Sequence, residues 1–195
     1  MATQPVVQYT DMLPYVVNDL PGCPQPVIVQ SLQQAGRKFC VDTEALREEL
    51  TIDVVEDQTE YDLRPTQMTL VHRIFNVEYD GTDLKEDKYV LQEGDTLVLE
   101  DAPTEDITGG LVVTIVRRPM ITSMILPVWF MERWSEAIMA GARAELMFQP
   151  MKPWSNPELG TYWDRQYKIG VAQAVREKFT EFKQADTAVK MRNFI

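Results

Sequence analysis

The sequence contains a single histidine, His72, which is a candidate for acid–base catalysis. It lies beside Arg73 in a stretch of alternating apolar and polar residues, which is typical of a β-strand. The sequence contains none of the motifs GxSxG, HExxH, GxxxxGKS/T, CxxC and GxGxxG. Gly109-Gly110 precedes a predicted strand rather than a helix, so these glycines do not form a phosphate-binding loop. We therefore expect His72 to be structural and the protein not to be an enzyme.

Paired carboxylates are the other chemistry to consider. A glycoside hydrolase needs two carboxyl groups about 5–10 Å apart in a cleft, one of them with a raised pKa. The Asp and Glu residues here fall mostly in predicted turns and on exposed strand faces, as at Glu56-Asp57 and Glu86-Asp87. No D-x-D-x-D-G spacing indicates a calcium loop. The sequence thus predicts no metal and no cofactor, and carbohydrate cleavage stays a disfavoured alternative.

Acidic residues are concentrated in one part of the chain. Residues 42–106 contain 20 Asp and Glu against 5 Lys and Arg, a net charge of −15, whereas residues 107–195 have a net charge of +4. Binding to nucleic-acid phosphates depends on Lys and Arg, so the acidic part is not expected to hold DNA. It is either a solvated face or an acidic wall facing a partner that must not bind to it.

The two cysteines, Cys23 and Cys40, flank most of a predicted helix. At about 1.5 Å per residue they lie roughly 20 Å apart, whereas a disulfide needs Cα atoms within about 7 Å. We expect two free, structural thiols. There is no run of about 18 apolar residues and no signal-peptide pattern, so we expect the protein to fold in the cytoplasm.

Helical periodicity appears at both ends of the chain. The first helix is predicted from near Pro26, where the missing N–H costs nothing, to about Thr43. The second begins near Pro127. Its middle, AIMAGARAEL, should approach another helix closely because it is built from small residues. A third helix follows Ser155, which is predicted to form a capping box with Glu158, and runs for about 25 residues.

Between these helices the period of apolar residues changes to two, which predicts strands. One long strand is expected to place Val71, Arg73, Phe75, Val77 and Tyr79 on one face and to end at the hairpin signal Asp80-Gly81. Pro119 is expected to end the strands. Five or six short strands punctuated by turns indicate an antiparallel sheet or small sandwich.

The predicted fold class is therefore α+β: a helical bundle with an inserted antiparallel β-domain. Residues 1–46 and 119–195 form the helical bundle and a C-terminal tail, and residues 47–118 form the β-domain. The helices from both ends must pack together, because none can bury its apolar stripe alone.

Tryptophans need separate interpretation. Trp129, Trp134 and Trp163 lie at or near helical stripes and are predicted in the core. Trp154 lies in the proline-flanked segment KPWSNPEL, where it either joins two helices or anchors a neighbouring subunit.

Several segments together resemble a known family. They are LPGCPQPVIVQSLQQAGRKFCVDT, then QTEYDL, the Asp-Gly hairpin, and AGARAELMFQPMKPWSNPEL. The chain resembles, over nearly its whole length, the head–tail adaptors of tailed bacteriophages, which are related in architecture to the tail tubular protein A of short-tailed phages. The most specific parts are the PGCP segment that precedes the first helix and the KPWSNPEL link. Both are structural motifs that indicate fold and assembly rather than catalysis.

The resemblance implies a ring, typically of twelve copies, in the virion neck between capsid and tail. Such a ring binds the portal protein on one side and tail or nozzle proteins on the other. It extends the channel through which double-stranded DNA passes during ejection without specific binding, and involves no membrane. The alternatives are another virion structural protein, such as a head-completion or minor tail component, or a carbohydrate-active or host-binding β-domain on a helical stalk.

Three sets of residues are the resulting candidate sites. The portal is expected to receive the C-terminal tail through Met191, Arg192, Phe194 and Ile195. Contact between subunits or helices is expected at Pro153, Trp154 and Ser155. The candidates for carboxylates lining the channel are Glu56, Asp57, Asp83, Glu86, Asp87, Glu105 and Asp106.

Overall fold

Long helices are combined with antiparallel strands, and the computed structural model describes them for residues 5–64, 68–93 and 95–181. The helices of this part are α1 (Leu13–Val16), α2 (Gln25–Thr43), α3 (Val128–Met147) and α4 (Pro157–Glu181). Its strands are β1 (Val6–Gln8), β2 (Arg47–Val54), β3 (Glu60–Asp62), β4 (Thr69–Tyr79), β5 (Thr82–Asp83), β6 (Tyr89–Gln92), β7 (Thr96–Leu99), β8 (Ile107–Pro119) and β9 (Ile125–Pro127). The predicted α+β fold class is confirmed.

Helices α2, α3 and α4 form a helical body around one hydrophobic core. The spacing of three and four residues along α2 puts its apolar stripe on one face, and that stripe is buried. Phe39 of α2 lies at the centre of this core. Its ring centroid is 6.0 Å from that of Phe130 in α3 and 6.2 Å from that of Tyr167 in α4. One aromatic ring therefore contacts the other two helices of the body.

Glycines mark the places where the helices approach most closely. A Cβ atom placed on Gly141 of α3 would lie 2.8 Å from Cδ2 of Tyr167 and 3.3 Å from Cβ of Ala35. One placed on Gly170 of α4 would lie 2.4 Å from Cβ of Ala137. Carbon atoms attract at about 3.5–4.0 Å and repel when closer, so both sites lack room for a side chain. The predicted close approach of the small-residue face of α3 is confirmed.

An N-terminal segment that the sequence did not predict covers part of the helical body. Its strand β1 pairs with β9, so Pro119 does not end the strands as predicted. Tyr9 and Val16 are buried in the helical core. The guanidinium of Arg143 in α3 binds Asp19, with 2.7 Å between Nε and Oδ2, and lies 4.4 Å from the ring centroid of Trp163 in α4. Because a buried charge needs such partners, Arg143 fixes this segment to both helices.

Strands β2 to β8 form two antiparallel sheets that share a second hydrophobic core. The strand orders are β2-β8-β4-β5 and β3-β7-β6. Asp80 and Gly81 turn the chain between β4 and β5 with φ of 48° and 71°. Both angles are left-handed, as the predicted two-residue hairpin requires. We call this part of the chain the β-domain; it is inserted between α2 and α3.

Two β-bulges make β4 depart from the predicted alternation. Its register against β8 shifts at His72 and again at Phe75. A bulge adds one residue to a strand, so the side chains beyond it change face. Val71 and Val77 are buried in the β-domain core, whereas the side chain of Arg73 is 51% exposed. The prediction that Arg73 and Phe75 share a face with these valines is wrong.

The cap of α4 also differs from the prediction. This helix begins at Pro157, and Oδ1 of Asn156 accepts a hydrogen bond from the Leu159 amide at 3.2 Å. An N-cap side chain makes this bond to the third residue of its helix, so Asn156 rather than Ser155 is the cap. The hydroxyl of Ser155 instead donates to the carbonyl of Met147 at 3.4 Å.

The tryptophan predictions are correct for two of three residues. Trp134 is buried and Trp163 is partly buried against the helical core, but Trp129 is 42% exposed. Trp129 is the second residue of α3 and therefore lies at the start of the helix. Helical spacing alone does not reveal such an end.

Replacing Gly141 with leucine should destabilise the helical body. Since even a Cβ atom meets Tyr167, Gly141→Leu is expected to lower the free energy of unfolding by roughly 1–3 kcal/mol. Chemical denaturation measures it, with Ala172→Leu on the exposed face of α4 as the control. Equal stability of Gly141→Leu and the wild type would contradict the close packing.

Candidate functional site

The link between α3 and α4 meets the segment that precedes α2. A Cβ atom on Gly22 would lie 3.5 Å from Cβ of Pro153, and Cys23 is buried in the core against which Trp154 packs. The amide of Asn156 donates to the carbonyl of Met147 at 3.0 Å and closes the link. The two motifs that carry the family resemblance are therefore in contact.

Trp154 is half-buried and packs against the helical core. Its indole Nε1 is shielded from solvent and has no hydrogen-bond acceptor in the described part of the chain. Of the two predicted roles, these contacts favour joining the helices. Pro153 is exposed beside it, and the ammonium of Lys152 lies 5.8 Å from the indole centroid.

Exposed apolar side chains surround this link, which sequence reasoning missed. Met151 is fully exposed, and Phe148 and Leu159 are each 47% exposed. Met151 also has a left-handed backbone, with φ of 61°, which is uncommon for a residue other than glycine. Apolar exposure of this kind is typical of a contact surface.

A groove of about 570 Å³ runs between α3 and α4 on the side away from α2. Tyr15, Tyr162 and Ile169 line it and are all more than 40% exposed, and the Arg143 guanidinium lies at its floor. The sequence analysis predicted no role for Tyr162 or Ile169, which lie on the exposed side of α4. Aromatic and aliphatic side chains of this kind are enriched in protein–protein interfaces.

All seven predicted channel carboxylates are exposed and belong to one end of the β-domain. Glu56 follows β2 and Asp106 precedes β8, and the amide of Glu56 donates to Oδ1 of Asp106 at 2.7 Å. Of the other five, Asp83 ends β5, and Glu86 and Asp87 lie in a short 3₁₀-helix before β6. Asp57 and Glu105 lie in the segments that follow β2 and precede β8, so all five are at the end of the β-domain that is farther from the helical body. The sequence predicted their exposure, but only the strand register brings them to one end, which we call the acidic end.

Lys88 is a cation within the acidic end. Its ammonium lies 2.8 Å from Oε2 of Glu100 and 3.1 Å from Oδ2 of Asp101. The hydrogen bonds that its ammonium donates to these two carboxylates raise the pKa of Lys88 above its ordinary value. Since Lys88 is exposed and shared between two acids, the acidic end keeps its negative charge.

Positive charge collects at the opposite end of the β-domain, where it joins the helical body. Nε of Arg73 lies 2.9 Å from Oε1 of Glu44 at the end of α2, and Nη1 of the buried Arg117 lies 3.0 Å from Oε2 of Glu48. The amide of Arg117 donates to the carbonyl of Leu46 at 2.8 Å. We call this region the junction.

His72 lies in the junction and is half-buried. Burial lowers its pKa below the ordinary value, the nearby Arg118 and Arg73 guanidinium groups lower it further, and the Glu44 carboxylate acts in the opposite direction. No nucleophile is hydrogen-bonded to His72 among the described residues. The structural role of His72 stays a prediction.

Other reactive groups are withdrawn from solvent. Cys23 and Cys40 are both free and buried, as predicted. Burial raises the pKa of the Cys40 thiol far above its ordinary value, so this thiol stays protonated and unreactive. Across residues 5–64, 68–93 and 95–181, no three His, Cys, Asp or Glu side chains are grouped as metal ligands.

The remaining predicted site residues, Met191, Arg192, Phe194 and Ile195, lie outside the described residues. Within the described part, none of the helices has the length and apolarity that crossing a bilayer requires. No model of a known protein family matches the sequence, and no curated protein matches it.

Replacing Trp154 with alanine distinguishes its two predicted roles. If Trp154 joins the helices, Trp154→Ala should lower the free energy of unfolding of the isolated chain by about 2 kcal/mol, since a fully buried tryptophan would cost about 3–5. Thermal and urea denaturation measure the change. Met151→Ala, at a fully exposed neighbour, is the control and should unfold like the wild type. Unchanged stability of Trp154→Ala would leave the indole available to a neighbouring subunit.

Proposed function

We propose that the protein is a structural head–tail adaptor of a tailed-bacteriophage virion. In this role, copies of the chain assemble into a ring, of about twelve by the family resemblance, below the portal. The ring extends the DNA channel, offers a platform to tail or nozzle proteins, and catalyses no reaction.

The contact between Gly22 and Pro153 is the observation that carries this proposal. These residues belong to the two most specific motifs of the resemblance and are far apart in the sequence. Their packing against each other, with Cys23 and Trp154 on the same core, is what a shared structural role of the two motifs requires. The motifs therefore support a common architecture rather than two chance matches.

The surfaces of the helical body support an assembling protein. Exposed apolar groups lie beside the α3–α4 link and along the α3–α4 groove, next to two helices that pack closely through glycines. A ring-forming subunit must present two different surfaces to its neighbours, because head-to-tail contacts close a ring. The helical body has two apolar surfaces of this kind, at the link and in the groove.

The charge distribution supports a passage for DNA. A basic wall would bind each phosphate and release counterions, which would hold the duplex in place. An acidic wall repels the duplex over a range set by the Debye length, about 8 Å at physiological salt. The acidic end is suited to lie along the channel, where it would keep DNA centred.

Assembly of the purified chain, alone and with the portal protein of its phage, tests the function. We expect a ring by native mass spectrometry and electron microscopy, and a stable complex with the portal. Deleting residues 186–195 should leave the fold intact, as circular dichroism and thermal melting measure, but abolish portal binding, because the deletion removes the four residues that the portal is expected to receive. A chain that remains monomeric with and without portal contradicts the adaptor, whereas portal binding by the truncated chain contradicts only the role of the tail.

Neutralising the acidic end tests the channel. The seven carboxylates are replaced by amides, as in Glu56→Gln and Asp106→Asn, and the rings are imaged and mixed with short duplex DNA at low salt. At low salt we expect the duplex to enter neutralised rings more readily than wild-type rings, and we expect this difference to shrink as added salt screens the carboxylates. Rings with Glu132→Gln, at an exposed position of α3 outside the α3–α4 groove, are the control. A ring structure in which the acidic end points outward would refute this part of the proposal.

A further inference from the structure

The junction is the place where the β-domain depends on the helical body. The chain crosses between them at residues 44–47, from α2 to β2, and at residues 119–125, from β8 to β9. Both crossings lie beside the Arg73–Glu44 ion pair and the hydrogen bond from the Arg117 amide to Leu46. These contacts join the β-domain to the end of α2.

Cations outnumber anions in this region. β4 contributes Arg73, β8 contributes Arg117 and Arg118, and β2 contributes Arg47, whose guanidinium lies 4.0 Å from the Phe75 ring centroid. The carboxylates near them include Glu44 at the end of α2, Glu48 in β2 and Glu177 of α4, which lines a surface cleft together with Glu44 and Arg47. The two bulges of β4 occur here. Val71 pairs with Arg117 of β8 and Arg73 pairs with Val116, so His72 is the extra residue of one bulge and lies between these two pairs.

We propose that the junction is a proton-sensitive hinge, in which protonation of His72 adds one more cation and favours separation of the β-domain from the end of α2. The β-bulge sets this up, because it inserts His72 where β4 meets the arginines of β8. This inference does not depend on the adaptor function, since it concerns the coupling of two parts of one chain.

The direction of the pH effect follows from linkage. In the closed junction the pKa of His72 is lowered by burial and then by Arg118 and Arg73, against the effect of Glu44. Opening removes these influences and returns the pKa toward its ordinary value near 6.5. Above about pH 6.5 His72 is neutral in both states and has no effect. Below it the open state binds the proton more tightly, so the closed state loses stability as the pH falls, by at most about tenfold in the opening equilibrium per pH unit.

Hydrogen exchange between pH 7.5 and 5 tests the hinge in the full chain. Because His72 is the single histidine, exchange of its imidazole Cε1–H followed by mass spectrometry reports its pKa in any assembly state. We expect a pKa below 6.5 and a protection factor of the Arg117 amide that falls several-fold as the pH drops. Amides of Ile138 in α3 and Val113 in β8 report the two cores and should keep their protection.

Variants separate the hinge from a general loss of stability. His72→Asn should remove the pH dependence at Arg117, and Arg118→Gln should raise the pKa of His72 toward 6.5 because one cation is lost. If the Arg117 amide responds equally in His72→Asn and the wild type, His72 is not the sensor and the proposal fails. It also fails if all three reporter amides lose protection together, since that outcome is global unfolding.

Discussion

The contact of α3 and α4 through glycines is the constraint on which the helical body depends. At Gly141 and Gly170 the neighbouring helix occupies the space that any side chain would need. This allows Tyr167 to reach Phe39 across the core and lets its hydroxyl donate to Oδ2 of Asp42 at 3.1 Å. The same approach sets the spacing of the α3–α4 groove, and the link that joins the two helices packs Trp154 against the helical core. A wider separation would remove the packing that holds the N-terminal segment in place.

Local patterns in the sequence predicted most of this fold because local physics decides it. The stripe along α2 and the Asp80-Gly81 hairpin depend on residues a few positions apart, and both are as expected. The pairing of β1 with β9 could not be predicted, because it joins segments more than a hundred residues apart and each has only three residues. The bulges in β4 were equally hidden, since an inserted residue becomes visible only against the partner strand.

The candidate surfaces divide in the same way. Acidic residues in turns are exposed wherever the turns lie, so the exposure of Glu56 and Asp106 followed from composition and turn signals. Strand register brings these residues to one end of the β-domain, and that register could not be predicted from the sequence. The exposure of Met151 and Tyr162 was missed. Helical spacing identifies the buried face of a helix, but it does not indicate which apolar residues outside that face form an exposed surface. Arg143 was missed because its partners, Asp19 and Trp163, come from two distant segments.

The β-domain is attached through neighbouring strands, and this has a consequence for how such a protein can change. Arg47 and Val116, at the two ends of the insertion, are cross-strand partners, so their Cα atoms are only about 5 Å apart. To the helical body the whole β-domain is equivalent to a short turn between α2 and β9. A gene encoding this chain could therefore exchange the segment between these positions for another module, or for a hairpin loop, without rearranging the helices. The helical body thus constrains only where the inserted segment begins and ends, and not what fold that segment has.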